Sequence, residues 1–218
     1  MTSKGYSKLT AGLIAVWFSF SIITSALHVF DTSPNLPPLR LLLAVLSPIV
    51  LFAAWYMRSA GFRAYVLSLD PRTLTAVQSW RVAGFVFLVL YSYRMLPGMF
   101  ALPAGWGDIF IGATALLVAA KWTTPAHRRS FIFWQLLGVA DLVIAMVTGA
   151  AGRFIRPEDF TAASGIVTSS MTALPLSLIP VFAVPFFLIV HIISIGQARR
   201  WQESELGPGP LKSIAVHS

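Results

Sequence analysis

The sequence predicts an all-α, polytopic integral membrane protein, a helical bundle of six transmembrane helices with both termini in the cytoplasm. Of its 218 residues, 56% are hydrophobic and only 11% are charged, and the mean hydropathy is +0.76. This composition suits a bilayer better than water. In addition, six apolar segments are long enough, or nearly so, to cross hydrocarbon. The basic residues collect in the gaps between these segments, as membrane topology requires.

The six segments approach or reach the roughly 17 to 25 helical residues that a hydrocarbon core of about 30 Å requires. In chain order they are Leu9–Phe30, Leu41–Met57, Val82–Phe100, Gly105–Ala120, Phe131–Gly152 and Leu174–Gln197. The second and the fourth are short. Ahead of the third, Asp70 supplies an N-cap and Pro71 a first-turn proline. Its helix is therefore predicted to begin near Pro71, with Arg81 in turns at the cytoplasmic interface.

The basic residues predict the orientation. With the N-terminus inside, twelve lie in the cytoplasm: Lys4, Lys8, Arg58, Arg63, Arg72, Arg81, Lys121, Arg128, Arg129, Arg199, Arg200 and Lys212. Three lie outside, namely Arg40, Arg153 and Arg156, and Arg94 falls within the third span. Such a bias predicts cytoplasmic termini and, as location, the plasma (inner) membrane. The alternative for the first segment is a cleaved signal peptide, because Lys4 and Lys8 precede it.

We see no linker within residues 1–200, which are predicted to form a single six-helix transmembrane domain. Residues 201–218 are predicted to be a disordered cytoplasmic tail. The chain has no cysteine, which excludes disulfides, thiolate metal sites and cysteine nucleophiles. We expect no cofactor and no metal. We also expect no nucleic acid, because membrane topology accounts for the net charge of +8. The expected partners are the lipid bilayer and either another membrane protein or a second copy of this chain.

Ionisable side chains inside a bilayer are costly, so those that lie within spans are candidates for function. Arg94 is late in the third predicted span and Asp108 is early in the fourth. Each lies seven residues from Ala101 in the predicted turn, so an antiparallel hairpin would place them at similar depth. We expect an ion pair between them, which either fixes the register of the hairpin or binds a substrate or an ion.

Asp141 falls near the middle of the fifth predicted span, and His191 in the sixth is its nearest candidate partner. Two interpretations stay open. The acid either exchanges a proton as part of transport or remains protonated and hydrogen-bonded to a neighbouring helix.

The fourth and fifth predicted spans share a pattern of small residues that places each aspartate on a closely packing face. The positions are Gly105, Asp108, Gly112, Ala115 and Ala119, repeated as Gly138, Asp141, Ala145, Thr148 and Gly152. Both acids are therefore expected to point into the bundle.

The first functional hypothesis is a small proton-linked carrier or channel-like protein. Asp141 would be its titrating group, with His191, Asp108 and Arg94 along the pathway. The alternative is a non-catalytic accessory or assembly subunit of a larger membrane complex. The sequence contains no nucleophile with its base and no H-E-x-x-H metal motif, so a membrane-embedded enzyme or a haem protein is the third possibility.

Overall fold

The computed structural model describes residues 2–31, 38–151 and 171–205, without the side chains of residues 202–205. Throughout these ranges the ordered elements are helices and no strand occurs. Six of the helices are long and apolar enough to cross a membrane. This result confirms the all-α class, agrees with the six predicted segments and indicates an integral membrane protein.

The first two spans are the least buried of the six. Helix α1 (Ser3–Ala26) begins after Thr2, whose side chain accepts a hydrogen bond from the backbone N–H of Gly5. Helix α2 (Leu39–Arg58) leads into the short helix α3 (Ala60–Leu67). The two are held together by aromatic stacking, with the ring centroids of Trp55 and Phe62 3.7 Å apart. The exposed apolar faces of α1 and α2 are of the kind that lipid covers.

The third span is built from three consecutive helical pieces. They are α4 (Pro71–Val77), a 3-10 helix (Gln78–Gly84) and α5 (Phe85–Ser92). Asp70 caps α4 by accepting hydrogen bonds from the backbone N–H groups of Arg72 and Thr73, and proline occupies the first helical position. The predicted start is therefore confirmed.

The last three spans are long helices. Helix α6 (Gly98–Lys121) is followed by a single 3-10 turn (Pro125–His127) and by helix α7 (Arg128–Ala151). The sixth span opens with a π-helical turn (Ile179–Ala183) and continues as helix α8 (Val184–Glu205). Interior prolines remove backbone donors, and wider turns of this kind accommodate such interruptions.

The hairpin between the third and fourth spans lies at residues 93–97, not around Ala101 as predicted. Residues that precede proline disfavour the helical conformation, and Leu96 precedes Pro97. Helix α6 consequently starts at Gly98 and accommodates Pro103 in its interior. This shift moves Arg94 out of the predicted span and into the turn.

Helix α6 lies at the centre of the fold, packed against the third span and against α7, while α8 packs against α7 and α2. The small-residue face predicted for α6 is confirmed: Gly105, Gly112, Ala115 and Ala119 are all buried. Large side chains close the rest of this interface. Phe131 and Trp134 of α7 are buried together with Ile111 of α6 and Ala198 of α8.

The disordered tail expected at residues 201–218 stays a prediction. Helix α8 continues through Trp201 to Glu205, so the boundary drawn at residue 201 falls inside a helix. The remainder of the tail, residues 206–218, lies outside the described residues, as do Arg153 and Arg156.

Candidate functional site

Arg81 is a buried charge in the third span, with only 1% of its side chain exposed. The 3-10 conformation explains where it points. This helix has three residues per turn, so side chains three positions apart lie one above the other. Gln78, Arg81 and Gly84 have this spacing, and all three are buried. The 3-10 segment therefore turns Arg81 toward the interior of the bundle.

The Arg81 guanidinium contacts three other helices. Its Nε donates a 2.7 Å hydrogen bond to Asp108 Oδ1 on α6, and Nη2 donates to Asp141 Oδ2 on α7. Its Nη1 lies 3.3 Å from the backbone carbonyl of Gly138 and 3.2 Å from His191 Nε2 on α8. One side chain thus joins the third, fourth, fifth and sixth spans, and two of its four contacts are ion pairs with carboxylates.

Gln135 completes the site and fixes the tautomer of His191. The Gln135 Oε1 atom can only accept a hydrogen bond, so His191 Nδ1 donates to it. The other ring nitrogen, Nε2, then keeps its lone pair and accepts from Arg81 Nη1. A neutral imidazole suits both contacts. We call Arg81, Asp108, Asp141, His191 and Gln135 the Arg81 cluster.

Glycines make room for these side chains. A Cβ at Gly138 would overlap the His191 ring, and a Cβ at Gly107 would overlap the Asp141 carboxylate. Any larger residue at either position would displace a member of the cluster. The small residues of α6 and α7 therefore serve the ionic site as well as the packing between helices.

The charges of the cluster do not cancel when both acids are ionised. One guanidinium and two carboxylates carry a formal charge of −1, whereas a single proton on either carboxylate makes the cluster neutral. Both acids lie near the middle of 24-residue helices. A proton on either carboxylate would therefore neutralise the cluster, and it would compete with Arg81 for a carboxylate oxygen.

A cavity of about 130 Å³ adjoins the cluster at Asp108. It lies between α2, α5, α6, α7 and the start of the sixth span. Among the described residues its lining is apolar apart from Asp108, with side chains that include Leu42, Phe87, Leu142 and Ile179. One acid of the cluster thus faces open space while Arg81 behind it is enclosed.

Three of the four residues singled out from the sequence meet in this site. Asp108, Asp141 and His191 all contact the same guanidinium. The expected contact between Asp141 and His191 is therefore made through Arg81. The acids also lie on the interior side of their helices, where the small-residue pattern had placed them.

The expected ion pair between Arg94 and Asp108 is wrong. Asp108 is paired with Arg81, and Arg94 is exposed in the turn after α5. The prediction failed because the hairpin turn was placed too late in the chain. With α6 starting at Gly98, Asp108 lies about 15 Å from the start of this helix at 1.5 Å per residue, and Arg94 is far from that depth.

Sequence reasoning missed Arg81, which was assigned to the cytoplasmic interface. A signal was nevertheless present. A helix that begins at Pro71 carries Arg81 about 15 Å along its axis at 1.5 Å per residue, too deep for an interfacial residue. The residues at 78, 81 and 84 also have a period of three, which is the spacing of one face of a 3-10 helix.

In the part of the chain that the structure describes, no group of three or more histidine, cysteine or acidic side chains could hold a metal ion. The candidate site is thus defined by its ion pairs and by the adjoining cavity.

In the described part of the chain, fold and site together define a class of protein: a bundle of six helices long and apolar enough to cross a membrane, with a salt-bridged cluster in its interior. The chain belongs to the family described as a domain of unknown function (DUF8737), which matches residues 36–199. The matched region contains every member of the Arg81 cluster and leaves out α1. No curated protein and no solved structure matches the chain.

Proposed function

We propose that this protein is a small proton-linked carrier or channel-like protein of the plasma (inner) membrane, with both termini in the cytoplasm. The distribution of basic residues still supports this orientation when Arg81 and Arg94 are counted at the positions that the structure gives them. Taking buried Arg81 away from the twelve inside and adding Arg94 to the three outside leaves eleven against four. The inside bias therefore survives.

The observation that carries the proposal is the sharing of one buried guanidinium by two carboxylates from different helices. An ionic group inside a bilayer is costly, and in transport proteins such groups mark proton and substrate pathways. Here the formal charge alternates between −1 and 0 with a single proton. The site therefore has the two charge states that a proton carrier requires.

Asp141 is the proposed titrating group. When its carboxylate is ionised, it ties α7 to the third span through Arg81. A proton on Asp141 weakens that tie, while Arg81 keeps its contact with Asp108 on α6. Proton binding would then alter the attachment of α7 to the remaining spans. Proton binding and helix packing would thus be coupled, because the two protonation states of Asp141 favour different helix contacts.

A purely structural role is the competing interpretation. A buried ion pair can fix helix register without any transport, as it would in an accessory or assembly subunit that binds another membrane protein or a second copy of this chain. The two functions differ in one measurable property: a carrier of this type binds protons within the membrane, and a structural ion pair does not exchange them.

The test is a pH jump applied to proteoliposomes on a solid-supported membrane. Proton binding at a membrane-embedded site displaces charge, so we expect a transient current from the wild-type protein. In Asp141→Asn the current should fall at least about fivefold, because the amide keeps the shape but cannot titrate.

Asp70→Asn is the matched control. It makes the same chemical change outside the spans, and asparagine caps a helix as well as aspartate does. Its current should equal that of the wild type. If the wild-type protein gives no transient, or if Asp141→Asn retains the full amplitude, the carrier proposal is wrong and the structural role is favoured. A cooperative thermal unfolding transition above the assay temperature in each of the three proteins establishes that the variants are folded.

A further inference from the structure

The cavity beside Asp108 extends from one end of the bundle to its middle. Phe100, near the start of α6, and Gly149, near the end of α7, line it together with Asp108 and Leu142 from the middle of the same two helices. Helix α2 closes the other side with Leu41, Val45 and Leu46. The cavity thus gives the Arg81 cluster a one-sided approach, through hydrocarbon side chains.

The Asp108 side chain lines this cavity. Its Oδ1 accepts from Arg81 Nε, and within the described residues no hydrogen bond reaches Oδ2. The Asp108 side chain is 16% exposed and that of Arg81 only 1%. Among the described residues of the cavity wall, Asp108 is the only ionisable one. Within this described lining, a hydrogen-bond donor placed in the cavity would therefore meet a carboxylate and no cationic side chain.

The charge of the cluster favours a hydrogen-bond donor that is positively charged. With both acids ionised the cluster carries a formal charge of −1, and a cation in the cavity would neutralise it as a proton does. The apolar walls favour a hydrocarbon body. As for size, an apolar cavity of about 150 Å³ admits benzene, and this cavity of about 130 Å³ is slightly smaller.

We propose that the cavity binds a small lipophilic organic cation, a protonated amine with a hydrocarbon body close to benzene in size, whose ammonium group contacts Asp108. Binding requires only the cavity and its carboxylate. That the same cation is carried across the membrane in exchange for a proton rests on the function proposed above, because cation and proton would compensate the same negative charge.

The experiment measures binding without transport. The probe is 4-fluorobenzylamine, followed by ¹⁹F NMR line broadening with the purified full-length protein in detergent micelles. Its neutral counterpart, 4-fluorobenzyl alcohol, has nearly the same shape and partitions into the same micelles. We expect saturable binding of the amine and at least about fivefold weaker binding of the alcohol.

Two variants locate the probe. Asp108→Asn should raise the Kd of the amine about tenfold, with little change for the alcohol. Ala145→Leu places three extra carbon atoms in the cavity wall and should abolish binding of both probes. Ala140→Leu makes the same change on an exposed position of α7, and its Kd should match that of the wild type.

The proposal is overturned by any of three results: no saturable binding of the amine, equal affinity for amine and alcohol, or equal binding by Ala145→Leu and Ala140→Leu. Failure of the carrier function is separate. If the amine binds but a pH jump gives no current, the cation site is supported and the transport proposal is wrong. If a current is observed but the amine does not bind, only the cation-site proposal is wrong.

Discussion

Arg81 and Asp108 are joined by a hydrogen bond of 2.7 Å from Nε to Oδ1, which crosses the contact between the third span and α6. Asp141 binds the same guanidinium from α7. Because Arg81 is enclosed and each acid retains some exposure, the guanidinium is the fixed centre of the cluster. The acids are the groups that a proton or a ligand can reach.

Removal of this centre should be severely destabilising. Arg81→Gln leaves two carboxylates close together without a cation, and loss of one partner from a buried ion pair costs about 3–5 kcal/mol. We expect that loss in the free energy of unfolding, measured by thermal or denaturant unfolding in detergent. Arg72→Gln, at an exposed position of α4, is the control and should change stability by less than about 0.5 kcal/mol.

The same experiment has an internal check. Adding Asp141→Asn to Arg81→Gln removes one of the two stranded charges, so the double variant should recover part of the lost stability. An Arg81→Gln protein as stable as Arg72→Gln would show that the cluster is not a buried ionic site.

Gly138→Ala should disturb His191. The added Cβ overlaps the imidazole ring, and overpacking of a tight interior costs about 1–3 kcal/mol. Gly12→Ala is the matched control, because a Cβ at Gly12 meets no atom within 4 Å. Thermal unfolding should separate the two variants, the first with a lower Tm and the second with an unchanged or higher one. Equal Tm values would contradict the close approach of α8 to α7.

Arg94 should be dispensable for the cluster. It is exposed and has a positive φ of 56°, a conformation that costs a residue with a Cβ about 1–2 kcal/mol. Arg94→Gly should therefore preserve stability or raise it by up to about 1 kcal/mol, whereas Arg94→Ala, which keeps the Cβ, should be neutral. Unfolding in detergent tests both. A loss of unfolding free energy as large as that of Arg81→Gln would instead support an ion pair between Arg94 and Asp108.

Stability should depend on pH through Asp70, which lies outside the spans. Hydrogen bonds from the hydroxyl and the backbone N–H of Thr73 hold the pKa of Asp70 below its ordinary value of 3.8. Its stabilising effect is therefore present above pH 3.8 and is lost as the pH falls through the lowered pKa.

Asp70→Ala removes this N-cap, which is worth about 1 kcal/mol. The difference in unfolding free energy from the wild type should be present at pH 7 and should close as the pH falls below about 4. Ser59→Ala removes the N-cap of α3, but serine does not titrate, so its cost should not change with pH. Parallel pH profiles for the two variants would refute the role of Asp70.

The proposed topology can be tested by labelling with an impermeant maleimide. The chain has no cysteine, so Arg94→Cys and Arg129→Cys each introduce a single thiol, both at exposed positions. Since α6 lies between them, we expect Arg94→Cys to react in intact cells and Arg129→Cys only after permeabilisation. Reaction of both in intact cells would mean that α6 does not cross the membrane. A reversed pattern would invert the proposed orientation.

The sequence by itself determined the helical class, the six apolar segments and three members of the cluster, namely its two acids and His191. These properties follow from local composition. The length of an apolar run and its preference for hydrocarbon can be read from the run itself, whatever it packs against. An aspartate within such a run is costly in any arrangement of the helices. The helix start at Pro71 was equally local, because capping involves neighbouring residues only.

Tertiary structure alone decided which cation meets these acids. The choice between Arg81 and Arg94 depends on where the hairpin turns and on how the third span is rotated. A shift of the turn from Ala101 to residues 93–97 changes the depth of every residue in the hairpin. The 3-10 segment then rotates Arg81 inward, since a helix of three residues per turn presents a different face from one of 3.6. Contacts between helices select both features, and no single segment of the sequence encodes them.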